Sequence, residues 1–227
     1  MRKHVLLYLM ITLALTFTAQ ARSDHSDDIH RIEDSAQIFQ EIMQTPDKAI
    51  PQYLLDSAQC IAIIPSEMRL AFIVGANYGK GLVTCRGTKS WSAPVFLSIS
   101  GGSFGFQIGG SSTDLIMLVM NEHGAKKLLE SKFTLGAEGS VAAGPVGRTA
   151  TAQTDAQMHA DILSWSRSQG LFAGLALEGA TLRQDLDDNA ILYGKKLENR
   201  QIVTSGIRPP KAAGKLMTLL NKYSFRD

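Results

Sequence analysis

A glycine-rich stretch of the chain places a serine in a pattern that hydrolases use. Gly101-Gly102-Ser103-Phe104-Gly105 fits the nucleophile elbow G-x-S-x-G, and Asp114 with His123 or His159 follows in the order of that enzyme class. The elbow requires a strand, a tight turn and then a helix, whereas the residues after 105 are typical of another strand. The sequence therefore favours Ser103 as a polar residue of a glycine-rich strand and leaves a serine hydrolase as a remote alternative.

Two histidines near the start of the chain lie beside carboxylates that could help to hold a metal ion. They are His25 and His30, with Asp24, Asp27 and Asp28 around them. The histidines do not have the H-x-x-x-H or H-E-x-x-H spacing of a zinc site. A solvated N-terminal tail is the favoured interpretation, and we predict no metal site.

Other catalytic and cofactor motifs are incomplete. Gly79-Lys80-Gly81 and Gly214-Lys215 lack the remainder of a phosphate-binding loop. The acidic cluster of Asp185, Asp187 and Asp188 is typical of an exposed loop. We therefore predict a protein that is not an enzyme and that carries no cofactor.

The composition is that of a globular protein with one domain. The chain has 227 residues, of which 44% are hydrophobic and 19% charged, and its formal net charge is +2. It has neither a large positive charge nor interleaved aromatic and basic positions, which nucleic-acid binders need. The composition allows a compact core and argues against nucleic acid as the partner.

The first 21 residues resemble a secretory signal peptide. Arg2 and Lys3 form a basic start, residues 5–17 are apolar, and Ala19-Gln20-Ala21 offers the small-x-small cleavage pattern. The apolar run falls short of the roughly 20 residues that a transmembrane helix needs, although a retained anchor is the alternative. We predict an exported protein, periplasmic or secreted, that associates peripherally with a membrane.

Charge is distributed unevenly along the exported part of the chain. Residues 22–50 carry three basic and seven acidic side chains, whereas residues 195–227 carry eight and two. Such a gradient is typical of a surface-binding tail, or of two termini that attract each other.

At the C-terminus an apolar stripe among basic residues predicts either an interfacial helix or a helix docked on the sheet. The stripe is Leu216, Leu219, Leu220 and Tyr223, and the candidate lipid-binding residues are Lys211, Lys215, Lys222 and Arg226, with a second patch at Lys126, Lys127 and Lys132.

Two cysteines, Cys60 and Cys85, lie in the exported part of the chain. Exported proteins enter compartments in which disulfides persist, so a Cys60–Cys85 bridge is predicted. Two buried thiols are the alternative, because sequence alone does not show the Cα separation that a bridge requires.

Periodicity predicts helices at both ends of the chain and a sheet between them. Apolar residues recur at helical spacing over 29–43, a short helix is expected near 51–57, and a closing helix of about 211–223 follows Pro209-Pro210. Asn121 is a good N-cap for a helix over 122–131. The predicted strands lie near 59–64, 69–75, 80–86, 92–99, 103–109, 113–120, 133–143, 160–167 and 171–183.

Glycine content predicts that this sheet is curved. Nine of the 20 glycines lie between Gly75 and Gly110, and glycine within strands marks bulges, barrel corners or close backbone approach. The continuous apolar runs at 60–64 and 115–120 predict strands that are covered on both faces. The expected fold is α+β, with a strongly curved, mostly antiparallel sheet that approaches a partly closed barrel and with flanking N- and C-terminal helices.

Ordered blocks between about residues 58 and 194 carry a family resemblance. They are Ile64-Pro65-Ser66, the stretch 75–81, Trp91-Ser92-Ala93-Pro94, and the stretches 101–110, 142–148 and 164–174, with Tyr193-Gly194 at the end. Together they closely resemble the SYLF domain, also called the actin-binding domain of yeast actin-patch proteins. The resemblance implies binding to phosphoinositide-rich membranes in eukaryotic members, actin binding or bundling in fungal ones, and no enzymatic activity.

We therefore divide the chain into a signal peptide (1–21), an N-terminal helical segment (22–57), a SYLF-like core (58–194) and a basic C-terminal segment (195–227). Only the core carries the resemblance. An exported bacterial member meets neither actin nor phosphoinositides unless it reaches a host. The leading hypothesis is therefore an exported module that binds lipid or an anionic membrane surface. A protein-interaction or structural module of the envelope is the alternative, and actin is a partner only by family analogy.

Overall fold

The computed structural model describes residues 25–45, 49–71, 74–87, 90–104, 109–146, 159–168, 171–174 and 177–224. They form one sheet with helices on both of its faces. The helices are α1 (25–44), α2 (Gln52–Ser57), α3 (Glu122–Leu128), α4 (Leu186–Tyr193), α5 (Asn199–Thr204) and α6 (Gly214–Tyr223), with a 3-10 helix at Lys211–Ala213. The strands are β1 (Cys60–Ala71), β2 (Val74–Cys85), β3 (Val95–Phe104), β4 (Gly109–Val119), β5 (Lys132–Thr134), β6 (Val141–Ala143), β7 (Ile162–Ser168), β8 (Leu171–Gly174) and β9 (Thr181–Gln184).

The sheet is curled and mostly antiparallel, which confirms the predicted α+β class. Its strand order is β5-β9-β3-β2-β1-β4-β7-β6, and β8 pairs with β7. The pairing of β6 with β7 is parallel. The long strands β1 to β4 form the middle of the sheet, where β1 lies between β2 and β4.

The middle strands are buried on both faces, as their continuous apolar runs predict. Along β1, Ile61 and Ile63 point into one apolar cluster, whereas Ala62 and Ile64 point into the other. The first cluster also contains the apolar faces of α1, α2 and α6, and the second contains residues of α3 and α5. Successive side chains along a strand therefore pack into two different apolar cores, one on each side of the sheet.

Helix α1 follows the predicted spacing. Ile32, Ala36 and Phe39 are fully buried, and Met43 packs against the same cluster, so a single apolar face docks on the sheet. The helix spans residues 25–44, so it begins four residues before the predicted stretch of 29–43 and ends one residue after it. Helix α2 and the closing helix also lie where they are expected.

Two predicted strand boundaries are wrong, because β1 and β2 are longer than the punctuation suggests. Pro65 does not end the first strand, since β1 carries an extra residue against both neighbours between Ile63 and Met68. Ser66 has φ 53° there, and its N–H donates to Asp114 Oδ1 at 2.9 Å. A bulge of this kind accepts a proline that a regular central strand would exclude.

The other predicted strands are corrected in the same way. The expected strands at 69–75 and 103–109 each straddle a connection, because β1 ends at Ala71 and β3 ends at Phe104. The expected strand at 171–183 is interrupted by a turn in which Gly179 has φ 82°. The expected strand at 133–143 is divided into β5 and β6, which lie at opposite ends of the strand order.

The disulfide is present, so the alternative of two buried thiols is not realised. Cys60 and Cys85 are directly paired residues of β1 and β2 and are bonded to each other. Their side chains lie in the second apolar cluster, away from solvent. The bridge therefore joins the two central strands at one end of their pairing.

Replacing Asn121 with alanine is expected to lower the free energy of unfolding by about 1 to 2 kcal/mol. Asn121 Oδ1 accepts from the Gly124 N–H at 2.8 Å at the start of α3, and its Nδ2 donates to Asp161 at 2.8 Å. The alanine removes both bonds. Urea unfolding tests this, and a variant with wild-type stability would show that the cap contributes nothing.

Helix α3 ends at Leu128, three residues before the predicted end.

Candidate functional site

The C-terminal basic patch consists of Lys211, Lys215 and Lys222 on the 3-10 helix and α6. All three side chains are exposed. None forms an ion pair with another residue in the ranges the structure describes, and Lys222 Nζ lies 5.0 Å from the centroid of the Tyr223 ring. The fourth candidate, Arg226, lies outside the described residues. The patch therefore presents positive charge that no described carboxylate offsets.

The apolar stripe of α6 is docked on the protein. Leu216 and Leu220 are fully buried, Leu219 packs against the same cluster, and the Tyr223 ring meets Phe39 of α1 edge-to-face at 6.2 Å. The docked alternative is therefore the correct one, since these residues already cover the sheet. What α6 offers to a partner is its charged face.

The second candidate patch differs from the first in charge and in position. Lys126 lies 3.6 Å from Glu122, and Lys127 lies 3.3 Å from Glu130, so local carboxylates offset much of their charge. Lys132 is exposed at the start of β5. This patch belongs to the layer of α3, on the opposite face of the sheet from α6. One flat surface cannot contact both patches at once.

A cavity of about 820 Å³ adjoins the start of the C-terminal basic segment. It lies between the β2–β3 connection and the chain after α5. Its walls combine apolar side chains with hydroxyl groups and two arginines, and no acidic residue lines it among the described residues. The lining residues are Arg86, Gly87, Ser90, Trp91, Ser92, Ala93, Ile202, Val203, Thr204, Gly206, Ile207, Arg208 and Pro209.

Arg86 fastens the C-terminal helix and α2 to the sheet. Its guanidinium donates to three carbonyl oxygens, those of Leu55 at 2.7 Å, Ala58 at 2.8 Å and Ser224 at 3.1 Å. Its Cζ lies 4.6 Å from the centroid of the Trp91 ring, and the Trp91 indole donates to Ser224 Oγ at 3.0 Å. One side chain thereby holds the end of α2, the end of α6 and the edge of the cavity. Sequence reasoning did not single out Arg86, although Trp91 is in a family block.

An ion cluster joins α1, β2 and α4. It consists of Asp28, Arg31, Lys80, Asp185 and Asp188. Arg31 Nη1 lies 2.8 Å from carboxylate oxygens of both Asp28 and Asp188. Lys80 Nζ lies 2.8 Å from Asp185 and 2.9 Å from Asp188. These contacts correct two expectations, because Asp28 belongs to a docked helix and not to a solvated tail, and Asp185 and Asp188 do not lie in an exposed loop.

The carboxylates of the ion cluster have different proton affinities. Burial raises the pKa of Asp28 to about 6, and the nearby charge of Asp188 adds to the effect. Burial acts on Asp185 in the same direction, but hydrogen bonding from Lys80 outweighs it and holds the pKa of Asp185 below its usual value. Among the described residues no group of three or more acidic, histidine or cysteine side chains is arranged to hold a metal ion.

The structure does not form a nucleophile elbow at Ser103. Ser103 lies inside β3, where it pairs with Gly75 of β2, so the chain does not turn at this residue. Of the expected partners, Asp114 accepts hydrogen bonds from Ser66 and Arg167. His123 lies 3.2 Å from Asp161.

Asp161 organises the start of α3 and β7 as a structural acceptor. It accepts from Asn121 at 2.8 Å and from the N–H and hydroxyl of Ser140 at 2.8 and 2.9 Å. Although burial opposes ionisation, these hydrogen bonds lower the pKa of Asp161. A catalytic triad needs the histidine between the serine and the carboxylate, whereas here the carboxylate stands between Ser140 and His123.

Two of the family blocks meet where Gly144 packs on Trp165. A Cβ at Gly144 would lie 2.1 Å from the indole ring, and the Trp165 N–H donates to the Pro145 carbonyl at 2.9 Å. The glycine is required for this contact. At this point the two blocks therefore have a packing role. No described helix is long and apolar enough to cross a bilayer.

Comparison with known proteins finds a matching family model and several relatives of about 30% identity. The family model Ysc84, described as Las17-binding protein actin regulator, matches residues 100–223. Protein YSC84 of Saccharomyces cerevisiae is 31% identical over 183 residues, which cover 79% of this chain and 39% of the yeast protein. LAS seventeen-binding protein 3 of the same species is 32% identical, covering 79% and 40%. SH3 domain-containing YSC84-like protein 1 of Mus musculus is 30% identical, covering 79% and 53%. The chain spans about half or less of the length of these relatives.

Proposed function

The chain belongs to the Ysc84 family of Las17-binding protein actin regulators, and from this premise we propose that it is an exported, non-enzymatic module that binds anionic membrane surfaces through the C-terminal basic patch. The observation that carries the proposal is the exposed, unneutralised charge of Lys211, Lys215 and Lys222 on a helix whose apolar face is already docked. Each basic group near an anionic surface contributes on the order of 1 kcal/mol, so a small cluster gives reversible attachment.

The docked position of α6 restricts how such a module binds. Because Leu216 and Leu220 pack on the sheet, the helix contacts the surface with its lysines and does not insert the apolar stripe. Attachment is then electrostatic and weakens as salt screens the charges. The second patch lies on the other face of the sheet and remains in solution while the first is bound.

Export and the lack of enzymatic activity have independent support. The signal-like residues 1–21 lie outside the described part, but a disulfide between β1 and β2 suits an oxidising compartment. The matching family model is described as a Las17-binding actin regulator, one relative is named as a binding protein, and Ser103 lies within a strand. These observations favour a binding module over a hydrolase.

Neutralising the C-terminal basic patch is expected to weaken binding to anionic vesicles at least tenfold. The variant is Lys211→Gln/Lys215→Gln/Lys222→Gln, and the measurement is co-sedimentation with phosphatidylglycerol-containing vesicles. The matched control, Lys126→Gln/Lys127→Gln/Lys132→Gln, removes the same charge from the opposite face and should bind like the wild type. Equal losses in both variants would show that binding is not specific to the C-terminal basic patch.

A protein partner in the envelope is the second candidate function. Relatives named as Las17-binding proteins favour a protein ligand, and the 820 Å³ cavity beside Trp91 offers a concave surface for one. This function predicts weak dependence on salt and no binding to vesicles. A stoichiometric complex recovered from envelope extracts, combined with absent vesicle binding, would favour it.

A further inference from the structure

We propose that the ion cluster is a proton-controlled clamp, in which protonation of Asp28 locks α1 onto the sheet and ionisation of Asp28 loosens it. The proposal concerns the docking of α1 and does not depend on membrane binding. It rests on how few cations the cluster holds and on a carboxylate oxygen that lacks a partner.

The clamp joins three elements that are distant in sequence. Asp28 and Arg31 lie in the first turns of α1, Lys80 lies in β2, and Asp185 and Asp188 lie at the N-cap and first turn of α4. Arg31 is separated from Asp188 by 157 residues, and Lys80 from Asp188 by 108. The charges therefore link the start of α1 to β2 and α4.

The cluster contains three carboxylates and two cations. Lys80 is shared by Asp185 and Asp188, and the single nitrogen Nη1 of Arg31 is shared by Asp188 and Asp28. Two carboxylates on one donor atom are close enough to repel each other. When all three carboxylates are ionised, the cluster carries one more negative charge than its two cations can neutralise.

Asp28 is the carboxylate for which ionisation is least compensated. Its side chain is 2% exposed, and Oδ2 is buried without a hydrogen-bond partner in the described part of the chain. From β3, the Phe96 ring lies 5.2 Å from the Arg31 guanidinium carbon. β3 contains no charged residue. The other titratable residues of the first turns of α1, His25, Asp27 and His30, are exposed. A proton on Asp28 removes the excess charge and the repulsion from Asp188.

The direction of the pH effect follows from the raised pKa of Asp28, which burial shifts from 3.8 to about 6. A carboxyl with a higher pKa in the folded state stabilises that state when protonated, and this contribution is lost as the pH rises from 4 through 6. Helix α1 is therefore held most firmly in acid. Above pH 6 it opens more readily, and the apolar cluster to which its buried face belongs becomes more accessible.

The test is hydrogen exchange of α1 in the wild type and in Asp28→Asn, compared at equal pH from 4.5 to 7.5 so that intrinsic exchange rates cancel. The amide keeps the size and the acceptor oxygen of the carboxyl but cannot ionise. We expect the protection of α1 in Asp28→Asn, relative to the wild type, to rise about tenfold or more over this range. Asp27→Asn, on the exposed neighbour, should give a constant ratio.

Two results would overturn the clamp. One is a ratio for Asp28→Asn that stays constant with pH, as for the Asp27→Asn control. The other needs no variant: a carbon NMR titration of the wild type in which the Asp28 carboxyl has its midpoint near 4. A midpoint near 6 together with the rising ratio would support it.

Discussion

Replacing Gly81 with alanine is expected to lower the free energy of unfolding by about 3 kcal/mol. A Cβ at this position would lie 2.3 Å from the Ile63 carbonyl oxygen and 2.7 Å from Ile64 Cα. Both atoms belong to the backbone of the central strand β1, beside the bulge, so a side-chain rotation cannot relieve the clash. β1 and β2 must separate, and β1 also pairs with β4. Urea unfolding followed by circular dichroism measures the loss.

Gly214→Ala is the matched control for this substitution. Nothing lies within 4 Å of a Cβ at Gly214, which starts α6 with ordinary helical angles. Alanine is the better helix former there, so this variant should be as stable as the wild type or slightly more stable. If Gly81→Ala were equally stable, the close packing of β2 against the bulge would not exist in solution.

Replacing Arg86 with methionine is expected to cost about 3 to 4 kcal/mol of stability. Methionine keeps the length and apolar character of the stem but leaves the carbonyl oxygens of Leu55, Ala58 and Ser224 without their charged donor. It also removes the cation from the Trp91 ring. Because two of these acceptors end helices, α2 and α6 should lose protection in hydrogen exchange before the rest of the protein unfolds.

Arg208→Met is the control for Arg86, since Arg208 lines the same cavity but is exposed. Its loss should leave the stability within about 0.5 kcal/mol of the wild type. Arg86→Lys should recover only part of the stability, because an ammonium group cannot donate along three fixed directions. Equal stability of the methionine variants would contradict the role of Arg86 as the fastening residue.

The elements that depend on local patterns could be predicted from the sequence. The spacing of Ile32, Ala36 and Phe39 predicts α1 and its buried face, and the apolar runs at 60–64 and 115–120 predict strands buried on both sides. Asn121 predicts the start of α3. In each case the prediction depends only on residues that are close together in the sequence.

Features that depend on contacts between distant residues could not be predicted. Pro65 suggests the end of a strand, and only the pairing of β1 with β2 and β4 shows that a bulge accommodates it. Asp188 is typical of an exposed loop until its pairing with Arg31 and Lys80 is known. Arg86 is one cation among many in the sequence, and nothing near it shows that its acceptors lie in two distant segments, residues 55–58 and residue 224. The blocks identified the family and the extent of its core. They did not identify the ion cluster that joins α1 to β2 and α4.

The most direct test of membrane-surface binding is flotation of residues 22–227 with neutral and with anionic vesicles, at low and at high salt. We expect the protein to float with anionic vesicles at low salt, to stay behind at high salt, and not to float with neutral vesicles, since screening weakens contacts between exposed charges. Failure to float with anionic vesicles at low salt would contradict electrostatic binding to membrane surfaces, as would flotation that high salt leaves unchanged.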